Sequence, residues 1–193
     1  MRAHEAELNA LDAQGGDGDH GVTFGLILEE IRRAALEYTG PEIGGLFALA
    51  GRRILGGVGG ASGVLWGSAL RQVGKALADA STMGVSELSL ALEAGLEAIV
   101  ARGQAAEGDK TVVDAWAPAC RAVKATATSE LAVALTQAAA AARAGASATQ
   151  RIPARVGRSS RLGERTVGVA DPGATSFGLW LEALARCCGA DPG

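Results

Sequence analysis

Aromatic side chains are scarce in this chain: three Phe, three Trp and one Tyr make up 4% of 193 residues. With 48% hydrophobic residues, a buried core must therefore be built mainly from Ala, Leu, Val and Ile. There are three cysteines, Cys120 and the adjacent Cys187 and Cys188. An odd count with no spacing pattern argues against a disulfide framework or a zinc site. No apolar run reaches the length of a membrane span, because Gly, Arg or Glu interrupts each one. The opening Met1-Arg2-Ala3-His4-Glu5-Ala6-Glu7 has no apolar stretch to serve a signal peptide, so the cytoplasm is the expected compartment. Positive charge is not in excess either. A net charge of −3 gives no reason to expect nucleic acid or a membrane as partner. Sustained period-two runs of β-branched residues are also missing, and with them any expectation of a sheet.

What the chain does have is apolar spacing of helical period. Phe24, Ile27, Leu28, Ile31 and Ala35 form one stripe, and Ile43, Leu46, Phe47, Ala50 and Ile54 another. Trp66, Leu70, Val73 and Leu77 follow, then Leu88, Leu92, Leu96 and Ile99, then Val112, Trp116, Ala119 and Val123. Leu131, Leu135, Ala138 and Ala142 make the next, and Phe177, Leu181, Leu184 and Cys188 the last. Breaks fall at Thr39-Gly40-Pro41, Gly56 to Gly60, Met83-Gly84, Gly103 to Gly108, Gly145, and a long interval around 147–172. Short connections favour antiparallel neighbours. The expected fold is thus all-α, an up-and-down bundle or barrel of about eight helices, in one domain over residues 1–193. Val167-Gly168-Val169 is the sole hint of extended structure and is too short to count. The Ala-rich stretch 132–146 reads as a packed helix rather than a linker, on its Leu131/Leu135 spacing and helix propensity.

Four of the breaks carry chemistry. The first is Asp12-Ala13-Gln14-Gly15-Gly16-Asp17-Gly18-Asp19-His20-Gly21, in which three carboxylates are separated almost wholly by glycine. Glycine permits the positive-φ backbone that turns several acidic side chains toward one point. Carboxylates so crowded repel unless a cation joins them, and Mg²⁺, which keeps positions open for substrate phosphates, is the natural one. Asp12, Asp17 and Asp19 are the candidate metal ligands. A calcium reading fails on pattern: the G-G-x-G-x-D repeat needs tandem copies, and no EF-hand spacing is present.

The second break, Gly56-Gly57-Val58-Gly59-Gly60-Ala61-Ser62-Gly63, runs into the Trp66 helix. A glycine-rich turn before a helix start offers N–H groups and a positive dipole end to a phosphate, or simply lets helices pack closely. It matches neither a Walker A pattern nor a dinucleotide fingerprint. The third, Gly108-Asp109-Lys110-Thr111, places a capping acid, a point charge and a hydroxyl before the Trp116 helix. The fourth, Gly157 to Ser176, lies in a segment with Arg151, Arg155, Arg158, Arg161 and Arg165 against the single acid Glu164 over residues 151–165. That excess suggests an anion-facing flap, the alternative being a solvated loop. Asp171-Pro172-Gly173 then turns into a helix whose first turn holds Thr175 and Ser176. Carboxylates for metal, glycine-rich helix starts for phosphate and arginines for residual charge are together what phosphoryl transfer requires.

These stretches in this order resemble the nucleotide-binding L subunit, or L-type domain, of the dihydroxyacetone kinase family. The matching segments are Leu8-Asn9-Ala10-Leu11-Asp12, Gly16 to Gly21, Gly59 to Gly63, Gly108 to Thr111, Gly157 to Ser160, Leu162 to Arg165, and Asp171 to Ser176. The resemblance implies a barrel of eight antiparallel helices with ADP or ATP and two Mg²⁺ ions at one end. It implies that Asp12, Asp17 and Asp19 hold the ions and that His20, Gly21, Val22 and Thr23 line the nucleotide. Ala61 and Ser62 would contact the phosphates, with Gly108 and Thr111 nearby. Arg158 and the Asp171-Pro172-Gly173 turn would close over the nucleotide. In this family the sugar is held covalently by a histidine of a separate K subunit, so this chain is expected to be half an enzyme with no catalytic residue of its own; neither His4 nor His20 takes that role. The expected function is to supply Mg–nucleotide for phosphoryl transfer to dihydroxyacetone or a related short keto-sugar. The donor is either exchangeable ATP or retained ADP recharged by a phosphotransferase-system phosphocarrier protein. Alternatives are a kinase subunit for another carbonyl substrate and a nucleotide-sensing module, and a homodimer is left open. Three departures stand out. Only eleven residues precede Asp12, so the first helix is expected to be short and to leave one side of the bundle less covered. Val169 and Ala170 stand where the family often has His and a polar residue.

Overall fold

The structure, a computed structural model, describes residues 2–189. Eight α-helices follow one another: α1 (Glu5–Asp12), α2 (His20–Glu37), α3 (Ile43–Gly57), α4 (Gly60–Ala76), α5 (Val85–Gly103), α6 (Val113–Ala125), α7 (Leu131–Ala148) and α8 (Pro172–Gly189). Three short 3-10 segments, Arg2–His4, Thr149–Arg151 and Arg158–Thr166, supplement them, and there is no β-strand among the described residues. The fold is all-α, as the helical spacing requires. No helix of the described residues is long and apolar enough to cross a membrane.

Connections as short as Val58–Gly59 leave a helix no choice but to reverse direction. Each helix packs on the next, and both α1 and α2 also touch α8, which closes the ring. Reversal at every step sends the connections after α1, α3, α5 and α7 to one end of the bundle, and those after α2, α4 and α6 to the other. The four chemically loaded breaks are all of the first kind. Backbones approach closely where side chains are absent: a methyl group on Gly74 of α4 would lie 2.7 Å from the Ala48 amide of α3.

The few aromatics are concentrated. Phe24 of α2, Trp66 of α4, Trp116 of α6, and Phe177 and Trp180 of α8 form one cluster, with Phe24–Trp66 centroids 5.3 Å apart and Trp116–Phe177 stacked at 4.3 Å. All four helices start at the loaded end, so this cluster forms the layer directly beneath it. The buried indole N–H of Trp116 donates to the Leu92 carbonyl at 2.8 Å. The surrounding wall is aliphatic. Ala134, Leu135, Ala138, Ala139, Ala142 and Ala146 are buried along α7, so the Ala-rich stretch is a packed helix.

Two of the expected breaks are more ordered than their composition suggests. Most of the glycine run at 56–60 is helical, since α3 continues to Gly57 and α4 begins at Gly60. The interval 147–172 contains two 3-10 segments, the second kinked at Gly163 (φ 51°, ψ −122°). The short α1 buries Leu8, and Val22, Leu26 and Leu36 of α2 are exposed. Truncating the aromatic layer by Phe177→Ala should cost about 3–5 kcal/mol in urea unfolding. Leu36→Ala, at a position 72% exposed, should stay within about 0.5 kcal/mol. Equal effects would mean the layer is not the core.

Candidate functional site

The acidic loop is wound around its own first carboxylate. Asp12 ends α1, and its Oδ2 accepts the amides of Gly18 at 2.8 Å and Asp19 at 3.1 Å, a side-chain closure of the kind short acidic residues favour. Gly18 makes the return possible with φ +77°. One oxygen from each of Asp12, Asp17 and Asp19 then falls within 4.8 Å of the others, Asp12 half-buried and the other two exposed. Three carboxylate oxygens in that space suit a hard divalent cation, and Oδ1 of Asp12 remains for it. The charge is met in part by protein: the guanidinium of Arg158 pairs with Asp17 and holds its carboxyl below the usual carboxylate range.

At the start of α2, His20 is buried and its Nε2 lies 2.9 Å from Ser176 Oγ on α8. The Ser176 hydroxyl donates its one proton to the Gly173 carbonyl, so Nε2–H of the imidazole is the donor to Oγ. Burial pushes the His20 pKa down, against the opposite pull of Asp12 and Asp19. The next amides do not face the site. Gly21 and Val22 donate to Asn9 Oδ1 at 2.7 and 3.3 Å, and a side chain on Gly21 would strike the Glu5 carbonyl. Asn9 therefore caps α2, an assignment that no pattern around residue 20 reveals.

At α4 the glycines of the turn differ in their surroundings. Gly60, with φ +76°, stands in open space, and no side chain caps the helix start, so its positive end faces the cavity. Gly63, by contrast, is a packing residue, tight against the Val58 carbonyl.

The third break corrects two expectations. Asp109 does not cap α6; its Oδ2 accepts the Ala106 amide, while buried Asp114, in the first turn of α6, accepts Gly108 N at 2.6 Å and Thr111 N at 2.8 Å. The geometric reason is that α6 begins at Val113, too far along for Asp109 to reach its free amides. The point charge of Lys110, which lines the cavity, is spent on the protein itself. Lys110 is 5% exposed, with Nζ on backbone carbonyls.

The connections after α1, α3, α5 and α7 enclose one cavity of about 530 Å³. Asp12, Asp17, Asp19, His20, Thr23, Ala61, Ser62, Thr111, Arg158, Asp171, Pro172 and Gly173 all line it, and Gly21, Val22 and Gly108 do not. Leu26, Val58, Leu65, Trp66, Val112 and Val156 supply an apolar portion, and Val169 and Ala170 lie along the wall. Of the five arginines at 151–165, Arg158 alone lines the cavity; Arg151, Arg155, Arg161 and Arg165 are exposed. A volume of this size, apolar within and polar at one side, is that of a small-molecule site. Asp171 caps α8 by accepting the Ala174 amide at 2.7 Å. Removal from water, reinforced by the Asp114 charge, pushes its pKa up to about 7.

Comparison with known proteins places this geometry among others. Residues 14–186 match the DAK2 domain family. The ADP-binding subunit DhaL of PEP-dependent dihydroxyacetone kinase 1 from Listeria innocua is 37% identical over 177 residues, covering 92% of this chain and 84% of that protein. The L-erythrulose 1-kinase of Mycolicibacterium smegmatis is 40% identical over 185 residues, which span 94% of this chain but 32% of the kinase. The crystal structure of the C. freundii dihydroxyacetone kinase in complex with AMP-PNP and Mg²⁺ superimposes with a TM-score of 0.73 and 34% identity, over 96% of this chain and 31% of that one.

The raised Asp171 pKa has a measurable consequence. The folded carboxyl holds its proton up to about pH 7, whereas the unfolded one releases it near its ordinary 3.8. Between these values the folded state binds more protons, so this group makes stability fall as pH rises from about 4 to about 7. Asp171→Asn keeps a capping oxygen without the charge, and the variant should gain on the wild type across that window in urea unfolding. Parallel pH profiles would refute the shift.

Proposed function

This chain belongs to the DAK2 domain family, and we propose on that premise that it is the nucleotide-binding subunit of a dihydroxyacetone kinase. In this reading it is a phosphotransferase subunit that presents Mg–nucleotide to a short keto-sugar held by a partner K subunit. The observation that carries the reading is the convergence of Asp12, Asp17 and Asp19 at a cavity that also receives the uncapped start of α4 and the guanidinium of Arg158. Phosphoryl transfer is mostly positioning and charge neutralisation, and these are the groups that perform both.

Asp12, Asp17 and Asp19 would hold two Mg²⁺ ions. A metal held there would supply the positive charge that a nucleotide's phosphates need. The chain's own residues do the remainder. The amide end of α4, with Ala61 and Ser62, receives phosphate through N–H groups and the helix dipole. Thr111 offers a hydroxyl beside it. Arg158, on the flap, sits where its charge can pass from the Asp17 carboxylate to a phosphate oxygen. His20, with Nε2–H fixed on Ser176, orders the seam between the start of α2 and the Asp171-Pro172-Gly173 turn. The apolar portion around Leu26, Leu65 and Val156 suits a base and excludes water. Holding the keto-sugar covalently would be the work of the K subunit, with His20 of this chain engaged by Ser176 instead.

The match to a PEP-dependent, ADP-binding subunit over 84% of its length favours ADP as a resident cofactor, recharged by a phosphocarrier protein. Mass spectrometry of the purified protein after dialysis should find ADP at near-equimolar amount. Rapid loss of nucleotide together with ATP-driven turnover would exclude that donor. Adding a cognate K subunit together with a phosphoryl donor, either ATP or the phosphorylated carrier protein, should yield sugar phosphate; nucleotide binding without turnover under both donors would instead favour a sensor. In calorimetric titration, Asp17→Ala and Asp19→Ala should each abolish Mg²⁺-dependent ADP binding while circular dichroism stays helical. Loss of a repelling carboxylate should not destabilise the metal-free protein. Near-normal affinity in both variants would refute the metal assignment.

A further inference from the structure

We propose that Lys110 is a positioning residue of this site: its ammonium holds both ends of the flap and thereby sets where Arg158 reaches. The proposal deepens the nucleotide reading above and rests on it. Nζ of Lys110 lies 2.7 Å from the Thr149 carbonyl and 3.2 Å from that of Ile152, on the side where the flap departs. It lies 2.9 Å from the Thr166 carbonyl and 2.6 Å from that of Val169, on the side where the flap returns. Three N–H protons serve four acceptors, so one is shared. A single cation thus closes the loop that carries Arg158, much as a metal ion would clip it. Closing a loop between its ends is the step that costs chain entropy, and charge-assisted hydrogen bonds are the stronger kind with which to offset it.

The conformation of Lys110 fits this role. Its φ is +62°, a left-handed backbone uncommon outside glycine, and it turns the side chain inward to 5% exposure. A buried ammonium is costly unless fully hydrogen-bonded. Here carbonyl oxygens surround it, with the carboxylates of Asp171 and Asp114 as the acidic groups near it. Burial lowers the Lys110 pKa and those two carboxylates oppose the shift. Neutral hydrogen bonds also join the ends of the flap, among them Gly168 N to Gln150 O at 2.7 Å, Arg155 N to Asp109 O at 3.1 Å, Ala154 N to Thr166 Oγ1 at 2.9 Å and Asp171 N to Thr149 Oγ1 at 2.8 Å. From the held flap, Arg158 crosses to Asp17 in the acidic loop. The third connection therefore governs how the fourth meets the first.

Lys110→Met keeps length and removes the ammonium. The control is Leu88→Ala, a core truncation at the start of α5, the end of the bundle away from the cavity. Mg–ADP affinity should fall at least tenfold in Lys110→Met, with faster dissociation. Tryptic cleavage at Arg155, Arg158, Arg161 and Arg165 should quicken at least tenfold at a temperature where both variants remain helical. Leu88→Ala should show neither change beyond its loss of Tm. Binding within twofold of wild type, or flap cleavage no faster than in Leu88→Ala, would overturn the proposal. A measurement on wild-type protein stands even if Lys110→Met fails to fold. The chain has three lysines, Lys75, Lys110 and Lys124, and ¹⁵N-lysine spectra should show one slowly exchanging ammonium whose shift moves on adding Mg–ADP. Three fast-exchanging signals would contradict it. Failure of the wild type itself to bind Mg–ADP would count against the nucleotide reading, while the cleavage and exchange results would still decide whether Lys110 holds the flap.

Discussion

Three carboxylates brought within 4.8 Å of one another repel, and much of this molecule is arranged to sustain that repulsion. The Asp12 carboxylate is tied to two amides of its own loop, which stops the loop from opening to separate the charges. Arg158 relieves one of them from across the cavity. In the proposed reading the rest is left for a divalent cation, and the uncapped start of α4 would take the anion such a cation brings.

The meeting of these groups follows from topology. A chain that reverses direction at every helix delivers alternate connections to the same end, so four segments distant in sequence meet there. The aromatic layer lies just below because α2, α4, α6 and α8 all start there. Phe24, Trp66, Trp116 and Phe177 pack into one cluster, giving the mobile chemistry of loops a rigid floor.

The helical spacing and the acidic loop were legible in the sequence because each depends on local pattern. Phe24, Ile27 and Leu28 mark a helix face whatever else is present, and glycine-separated aspartates have few other uses. What was not legible depends on contacts between distant segments. Lys110 reads as an offered point charge until the carbonyls of Thr149, Ile152, Thr166 and Val169 are seen around it. Asp109 reads as a helix cap until α6 is found to begin at Val113 and Asp114 to take the amides instead. Gly21 is expected to line the nucleotide, but its amide belongs to Asn9. Motif spacing identifies residues that work together and is silent on which of them face the ligand.

The relation of the acidic loop to nucleotide is therefore the claim on which the functional account stands. Calorimetric titration of the wild-type protein with ADP, in Mg²⁺ and again in excess EDTA, tests it most directly. The account predicts tight binding in the first condition and a loss of at least a hundredfold in the second. Equal affinity in both would show that Asp12, Asp17 and Asp19 do not link metal to nucleotide.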